Sequence, residues 1–392
     1  ENIGRRNLFS AQNRKGNFRK MVDNIISDKL DKIGIRLEYK SSGGFPAFCS
    51  RWQGKRILAV CDRNTRLFAE SAEIPNKKLC FIDEEEPVPD EKVCGYVMDC
   101  AKDADYILAV GSGTLNDTAK FVAYHTGKRS GVLATAPSMD GYASPVAPIM
   151  RAGFKASEIA HAPSDILIDT DILSAAPSVM IAAGVGDIMG KYTCLTDWRL
   201  AQSHLGEEVH EEAFSNTVDA VDKCFGSIDD IYNRGAAGIG RLTDALIVSG
   251  LAIAETGNSR PASGAEHHIS HYLEMWFVAQ KKHVPLHGIK VGLGTLVSAY
   301  LYRALERDGV EFKGAEATYR AARYIPSDEV LEEMLCRLGA PTRFSELPIS
   351  RELFRETMLK AYTVRPRYTI LTLLHELGLM EHYVPQLEEN FY

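Results

Sequence analysis

Up to Asp171 the chain alternates short β-rich apolar runs with more polar stretches of helical character, and beyond Ser174 the alternation stops. The runs are 56–62 (RILAVCD), 78–82 (KLCFI), 106–110 (YILAV), 131–136 (GVLATA) and 165–171 (DILIDTD), separated by helical patterns such as 65–71 and 91–103. Alternation of this kind predicts a mostly parallel sheet covered by helices on both faces. After Ser174, segments such as VMIAAGVGDIMGKYTCLTDWRLAQ and GIGRLTDALIVSGLAIAETG predict long helices with wide apolar faces. The expected architecture is an N-terminal α/β domain over residues 1–173, followed by an all-helical domain over 174–392.

Composition removes several function classes. A net charge of −7 argues against broad nucleic-acid binding, which needs a basic face. No run approaches the roughly 20 apolar residues expected of a bilayer span, so no membrane insertion is expected. The leading ENIGRRNLFSAQNRKGNF is polar and basic, without the apolar core of a signal peptide. Several of the eight cysteines sit inside apolar runs and form no close CxxC pair, which predicts buried free thiols and a cytoplasmic setting.

After YILAV comes Gly111-Ser112-Gly113-Thr114-Leu115, leading into a helical pattern. Two glycines let the backbone approach a phosphate, and the helix start offers unpaired N–H groups and partial positive charge. It is not the GxGxxG fingerprint, it follows the third run, and a plain strand–helix turn has the same composition. Asp62, closing RILAVCD, is placed to bond ribose hydroxyls, which favours NAD; Arg63 beside it suits a 2′-phosphate, which leaves NADP open. Asp62 reads equally as a turn or helix-cap residue. The loop Thr135-Ala136-Pro137-Ser138-Met139-Asp140-Gly141-Tyr142-Ala143-Ser144 follows the next run and is dense in turn-formers and small hydroxyls that can wrap a cofactor.

Asp187 lies in GVGDIMGKYT, His267, His268 and His271 in SRPASGAEHHISHYLEMW, and His287 in VPLHGIKVGLG. One carboxylate and two imidazoles with an open position suit a catalytic divalent ion. Helical spacing places His267 and His271 together at i, i+4 and His268 and His271 at i, i+3, so spacing does not choose among the three. Arg260, Lys290 and Lys191 flank these motifs. Arg260 is the preferred partner for an anionic substrate, since a guanidinium binds phosphate through two parallel bonds.

GSGTLNDTAK, TAPSMDGYASP, GVGDIMGKYT, SRPASGAEHHISH and LHGIKVGLG, in this order, resemble the signatures of glycerol-1-phosphate dehydrogenases, most closely the bacterial AraM-like branch. That family lies within the iron-containing alcohol dehydrogenase, glycerol dehydrogenase and dehydroquinate synthase superfamily. The resemblance runs from about Asp62 to the terminal RYTILTLLHELGL, and Asn116 before Asp117 is a departure where superfamily members often carry an apolar residue. It implies an NAD(P)-binding α/β domain and a helical metal- and substrate-binding domain, the dehydroquinate synthase-like fold. It also implies that Gly111, Ser112, Gly113, Thr114 and Leu115 cradle the cofactor pyrophosphate, with Thr135, Ala136, Pro137, Ser138 and Ser144 contacting NAD or NADP. By the same resemblance Asp187, His267 and His287 hold the metal, Asp140, Asp187 and His271 meet the substrate, and His268 has no assigned role.

The activity so implied is the interconversion of dihydroxyacetone phosphate and sn-glycerol 1-phosphate. NAD(P)H is the hydride source and the ion, zinc by default with nickel or iron as alternatives, is the Lewis acid. His271 is the candidate to pass the proton. The rival readings are a dehydrogenase of an unphosphorylated polyol such as glycerol, a dehydroquinate synthase-like cyclase, and a non-catalytic nucleotide-binding relative. The expected partners are a small phosphorylated triose or polyol and further copies of the chain in a homo-oligomer.

Overall fold

The computed structural model describes residues 26–151 and 154–392; the polar leading stretch lies outside them. The apolar runs become the centre of a six-stranded sheet. Its strands in chain order are β1 (Arg36–Tyr39), β2 (Ile57–Asp62), β3 (Lys77–Ile82), β4 (Tyr106–Gly111), β5 (Arg129–Ala134) and β8 (Asp165–Ile168). The spatial order is β1-β8-β5-β4-β2-β3, and every pairing is parallel. All residues of β2, β4 and β8 are buried, as strands covered on both faces must be.

Three strands were not visible in the sequence pattern. β1 is a four-residue edge strand, RLEY, with no fully buried position. The other two, β6 (Val146–Arg151) and β7 (Phe154–Ile159), form an antiparallel hairpin outside the main sheet. Pro148 sits within β6, and proline suits only edge or isolated strands, which masks the pattern. With β1 counted, the glycine turn follows the fourth strand in chain order.

Pairing of β2 with β3 on one side and β4 on the other makes the β2–β4 boundary a point where the strand order reverses. Ligands in open parallel sheets bind at such crevices, outside the carboxyl ends of the strands. Both Asp62 and Gly111 end their strands there.

Among the described residues every strand lies before Asp169, and helices follow from Thr170 onward. The helix Ser178–Leu205 is apolar all round and almost wholly buried from Ile181 to Ala201, so it forms the centre of the helical half. It ends at Gly206 with φ of 79°, the left-handed cap that glycine takes without cost. The helices Ala265–Ala279 and His287–Arg307 pack against it. At the crossing with His287–Arg307 the backbones nearly touch. A Cβ on Gly288 would fall 1.8 Å from the Ala183 carbonyl oxygen, and one on Gly186 would fall 2.2 Å from that of Gly288. This contact brings the start of the His287 helix beside Asp187.

One helix, Ala236–Thr256, has the length and mean hydropathy (1.4) to cross a membrane, but 72% of its apolar window is buried inside the protein. All eight cysteines are free, five of them buried. Among the described residues the main apolar core runs through both halves, from Ile26 to Phe391, with two smaller clusters beside it.

Candidate active site

At the crevice, Ser112 is the N-cap of the helix Gly113–His125 but makes no side-chain cap bond. No Ser112 side-chain bond takes up the first helical N–H groups, and the helix dipole there favours an anion. A Cβ on Gly111 would meet Leu115 Cδ1 at 2.4 Å and Leu115 Cβ at 2.9 Å, so the turn is folded tightly on its own helix. Asp62 is buried across the crevice, and its Oδ1 accepts bonds from the Asn64 N–H (3.0 Å), the Thr65 N–H (2.9 Å) and the Thr65 hydroxyl (2.9 Å). One carboxylate oxygen of Asp62 is thus committed to the turn.

The next loop closes over this crevice. The Thr135 N–H donates to the Gly111 carbonyl at 3.2 Å, joining the two proposed cofactor segments. Ala136 and its neighbours are buried, and the Pro137 carbonyl rests on Gly184, where a Cβ would stand 1.8 Å away. Ser144 is buried and its hydroxyl accepts from the Val146 N–H. The loop is organised by two side chains from the glycine-turn helix. Asn116 donates to the Gly141 carbonyl at 3.2 Å, and buried Lys120 donates to the carbonyls of Gly141, Ser144 and Val146 while pairing with Asp117.

On the helical side, Asp187, His267 and His287 converge: one donor atom from each lies within 4.8 Å of the others. His267 Nε2 is 3.7 Å from Asp187 Oδ1. The ring centroids of His267 and His287 are 5.1 Å apart, and those of His271 and His287 are 5.5 Å apart. His271 therefore joins the same cluster. Its Nδ1 is 3.5 Å from Glu274 Oε2, and a donor set of His271, Glu274 and His287 also falls within 4.8 Å. His268 does not join; its ring is fully buried, and neither nitrogen has a hydrogen-bond partner.

These ligands are held from behind. Glu266 Oε1 lies 2.7 Å from His267 Nδ1, which leaves Nε2 directed at Asp187, and Glu266 itself accepts from the Thr193 hydroxyl and the Gly264 N–H. Lys191 Nζ donates to Asp187 Oδ1, Asp140 Oδ2 and the Ala262 carbonyl, each at 2.9 Å. The Asp140 N–H donates to Asp187 Oδ2 at 3.0 Å, and the Ser249 hydroxyl to Asp140 Oδ2 at 2.8 Å.

Burial and charge set the protonation states. Burial, with Asp140 adding to it, pushes Asp187 up to about 6 against the pull of Lys191. Burial opposes the charge of Lys191, but Asp140 and Asp187 outweigh it and raise its affinity for a proton. His267 is held neutral, its pKa lowered by burial and then by Lys191. A neutral imidazole and a carboxylate paired by an ammonium are the forms that bind a metal. This donor set fits a divalent ion, with room left for a fourth ligand.

Of the three cations flanking the motifs, Lys191 lies in the site, and the other two are committed elsewhere. Lys290 donates to the Pro285 carbonyl and steadies the approach to His287. Arg260 is buried, its guanidinium forming two bonds to Glu207 and one of 2.7 Å to the Tyr368 carbonyl. The Arg260 fork thus already holds a carboxylate, and turning it to a phosphate would leave Glu207 unpaired. The sequence could not show this, because Glu207 and Tyr368 are 53 and 108 residues away.

Against known proteins, residues 45–177 match the family described as iron-containing alcohol dehydrogenase. The glycerol-1-phosphate dehydrogenase (NAD(P)+) of Bacillus licheniformis is 34% identical over 361 residues, 91% of this chain and 88% of that protein. The chain belongs to the glycerol-1-phosphate dehydrogenase family. An archaeal member, from Sulfurisphaera tokodaii, is 34% identical over 303 residues, 77% of each chain. The fold also matches a solved structure of a probable glycerol dehydrogenase from Sinorhizobium meliloti 1021, at a TM-score of 0.66 and 18% identity, over 89% of this chain and 97% of that one.

In the sequence Lys191 is legible only as a nearby cation. That it bridges Asp187 and Asp140 follows from the fold. Lys120 and Glu266 were missed altogether. Both sit inside quoted motifs, and a lysine or glutamate within an apolar helical pattern is the signal that marks them.

Proposed function

We propose that this chain interconverts dihydroxyacetone phosphate and sn-glycerol 1-phosphate with NAD or NADP, using one divalent ion held by Asp187, His267 and His287. The observation that carries the reading is the convergence of those three donors beside Asp140 and His271, on a chain whose relatives bear that enzyme's name. Zinc suits one carboxylate and two imidazoles. Bound there, the ion supplies Lewis-acid polarisation of a carbonyl, and the nicotinamide supplies hydride.

The chain's own residues do the rest. The turn Gly111 to Leu115 presents backbone N–H groups to the cofactor pyrophosphate, and the segment Thr135 to Ser138 packs beside it. Lys191 bonds to both Asp187 and Asp140 and fixes them, so neither drifts when substrate enters. Glu266 holds the proton of His267 at Nδ1 and keeps Nε2 for the metal. Asp140 and His271 orient the substrate hydroxyls, and His271 exchanges a proton at Nε2 while Glu274 faces Nδ1.

The test is NADH oxidation with dihydroxyacetone phosphate by EDTA-stripped and zinc-restored protein, with the product's configuration determined. Zinc-dependent turnover to the sn-1 isomer is expected. Faster turnover of unphosphorylated dihydroxyacetone or glycerol would replace this reading with a polyol dehydrogenase, and product formation without net NADH change would point to a cyclase.

A further inference from the structure

With Arg260 held by Glu207, a phosphorylated substrate calls for another cation, and the C-terminal segment 365–368 (RPRY) carries two. This segment follows the short 3-10 turn Ala361–Val364, which packs on the histidine helix Ala265–Ala279. It is laced to the loop that begins that helix. Arg260 donates to the Tyr368 carbonyl; Arg367 donates to the carbonyls of Ser263 (2.6 Å) and Ser259 (3.3 Å) and to the Ser259 hydroxyl (2.7 Å). A tight turn at Pro366, closed by the Arg367 N–H on the Arg365 carbonyl at 2.8 Å, fixes the two arginines relative to each other.

The charges here do not balance. Arg260 has Glu207, but Arg367 meets only neutral oxygens. Arg365 is half-buried and donates no hydrogen bond among the described residues; Glu274, which also faces His271, is the acidic group within its electrostatic reach. The turn that leads into Arg365 packs on the helix carrying His268, a fully buried ring with two unpartnered nitrogens. The Ser263 hydroxyl beside Arg367 is likewise buried without a partner. Uncompensated guanidinium groups and an orphaned imidazole inside a protein are costly unless an anion completes them.

We propose that Arg365 and His268, backed by Arg367, form the subsite that receives the substrate's phosphate. The Arg365 fork offers two parallel donors to phosphate oxygens, and the N–H of the His268 ring offers a third. His268 and His271 lie three residues apart on one helix and so are neighbours, which sets the phosphate end beside the end where His271 works. This subsite rests on the substrate reading above and explains how a chain of net charge −7 selects an anion.

The experiment uses the zinc-loaded full chain, with dihydroxyacetone phosphate as substrate and inorganic phosphate as competing probe. Phosphate binding is also followed by calorimetry in zinc-loaded and EDTA-stripped protein, which separates contact with the ion from contact with the subsite. In R365Q the KM for dihydroxyacetone phosphate and the phosphate dissociation constant should both rise roughly tenfold to hundredfold, the loss expected for charge-assisted bonds, with a smaller change in kcat. R365K keeps the charge without the fork and should show a smaller rise; it serves as the test if R365Q does not fold. The proposal is overturned if phosphate binding and KM are the same in wild type and variants, or if wild type binds no phosphate. Should wild type fail to prefer dihydroxyacetone phosphate over dihydroxyacetone, the substrate reading falls, while calorimetry on wild type and R365Q still decides the anion subsite.

Discussion

The two halves build their candidate sites from different materials. In the α/β half the cofactor crevice is made of backbone: a glycine turn, a helix start and a loop pinned by Asn116 and Lys120. In the helical half the site is made of side chains from helices 80 and 100 residues apart in sequence, held by buried ion pairs. Because a backbone site depends on local conformation, its damage should stay local. A side-chain site depends on packing and charge balance, so its damage should spread into stability.

The largest expected effect tests whether the halves act independently. His267→Ala or His287→Ala should abolish metal retention and cut turnover by roughly three orders of magnitude, since a Lewis acid contributes several kcal/mol. NADH binding, followed by its fluorescence, should persist. Loss of both together would break the comparison.

Lys191→Met should be next. It leaves buried Asp187 and partly buried Asp140 without their shared cation, at a cost of about 3–5 kcal/mol in urea denaturation of the metal-free protein. An unchanged midpoint would show that the helical site does not lean on its ion pairs.

On the other side, Gly111→Ala should weaken NAD(H) binding by about 2 kcal/mol, because the new Cβ pushes Leu115 and the turn apart. Zinc content should stay at the wild-type level. Metal loss in this variant would mean the two sites are mechanically coupled, through the Pro137–Gly184 contact for instance.

The smallest effect concerns Asp197, which joins three elements by accepting from the Tyr302 hydroxyl and the N–H groups of Ala265 and Ile370. Asp197→Asn should lose about 1 kcal/mol through one lost acceptor. Burial pushes the Asp197 carboxyl up to about 6 from 3.8, so the folded state binds its proton more tightly than the unfolded chain. The stability linked to that proton is full below 3.8 and is lost as pH rises toward 6. Wild-type stability relative to Asp197→Asn should therefore fall across that window, and a flat difference would count against the assignment.

Much of this was legible because it is local. Five of the six main-sheet strands announced themselves as apolar runs; β2, β4 and β8 are buried at every position, and strands buried on both faces cannot alternate. Strand β1 and the hairpin containing Pro148 did not, because RLEY is short and half charged and Pro148 interrupts the other run. Asp187, His267 and His287 could be named as candidates from residue chemistry and family likeness. Spacing alone could not separate them from His268 and His271, since i, i+3 and i, i+4 neighbours share a face equally well.

The sequence by itself determined the strand–helix alternation, the glycine turn and the supply of ligands, because each follows from neighbours in the chain. Only the tertiary structure decided which histidine faces Asp187, that Lys191 ties it to Asp140, and that Arg260 belongs to Glu207 while Arg365 keeps its donors. Those outcomes depend on helices meeting at Gly186 and Gly288 and on a C-terminal segment folding back 108 residues to the histidine loop. A charged side chain takes the partner that packing delivers, and the delivery is made by residues far from either partner in sequence.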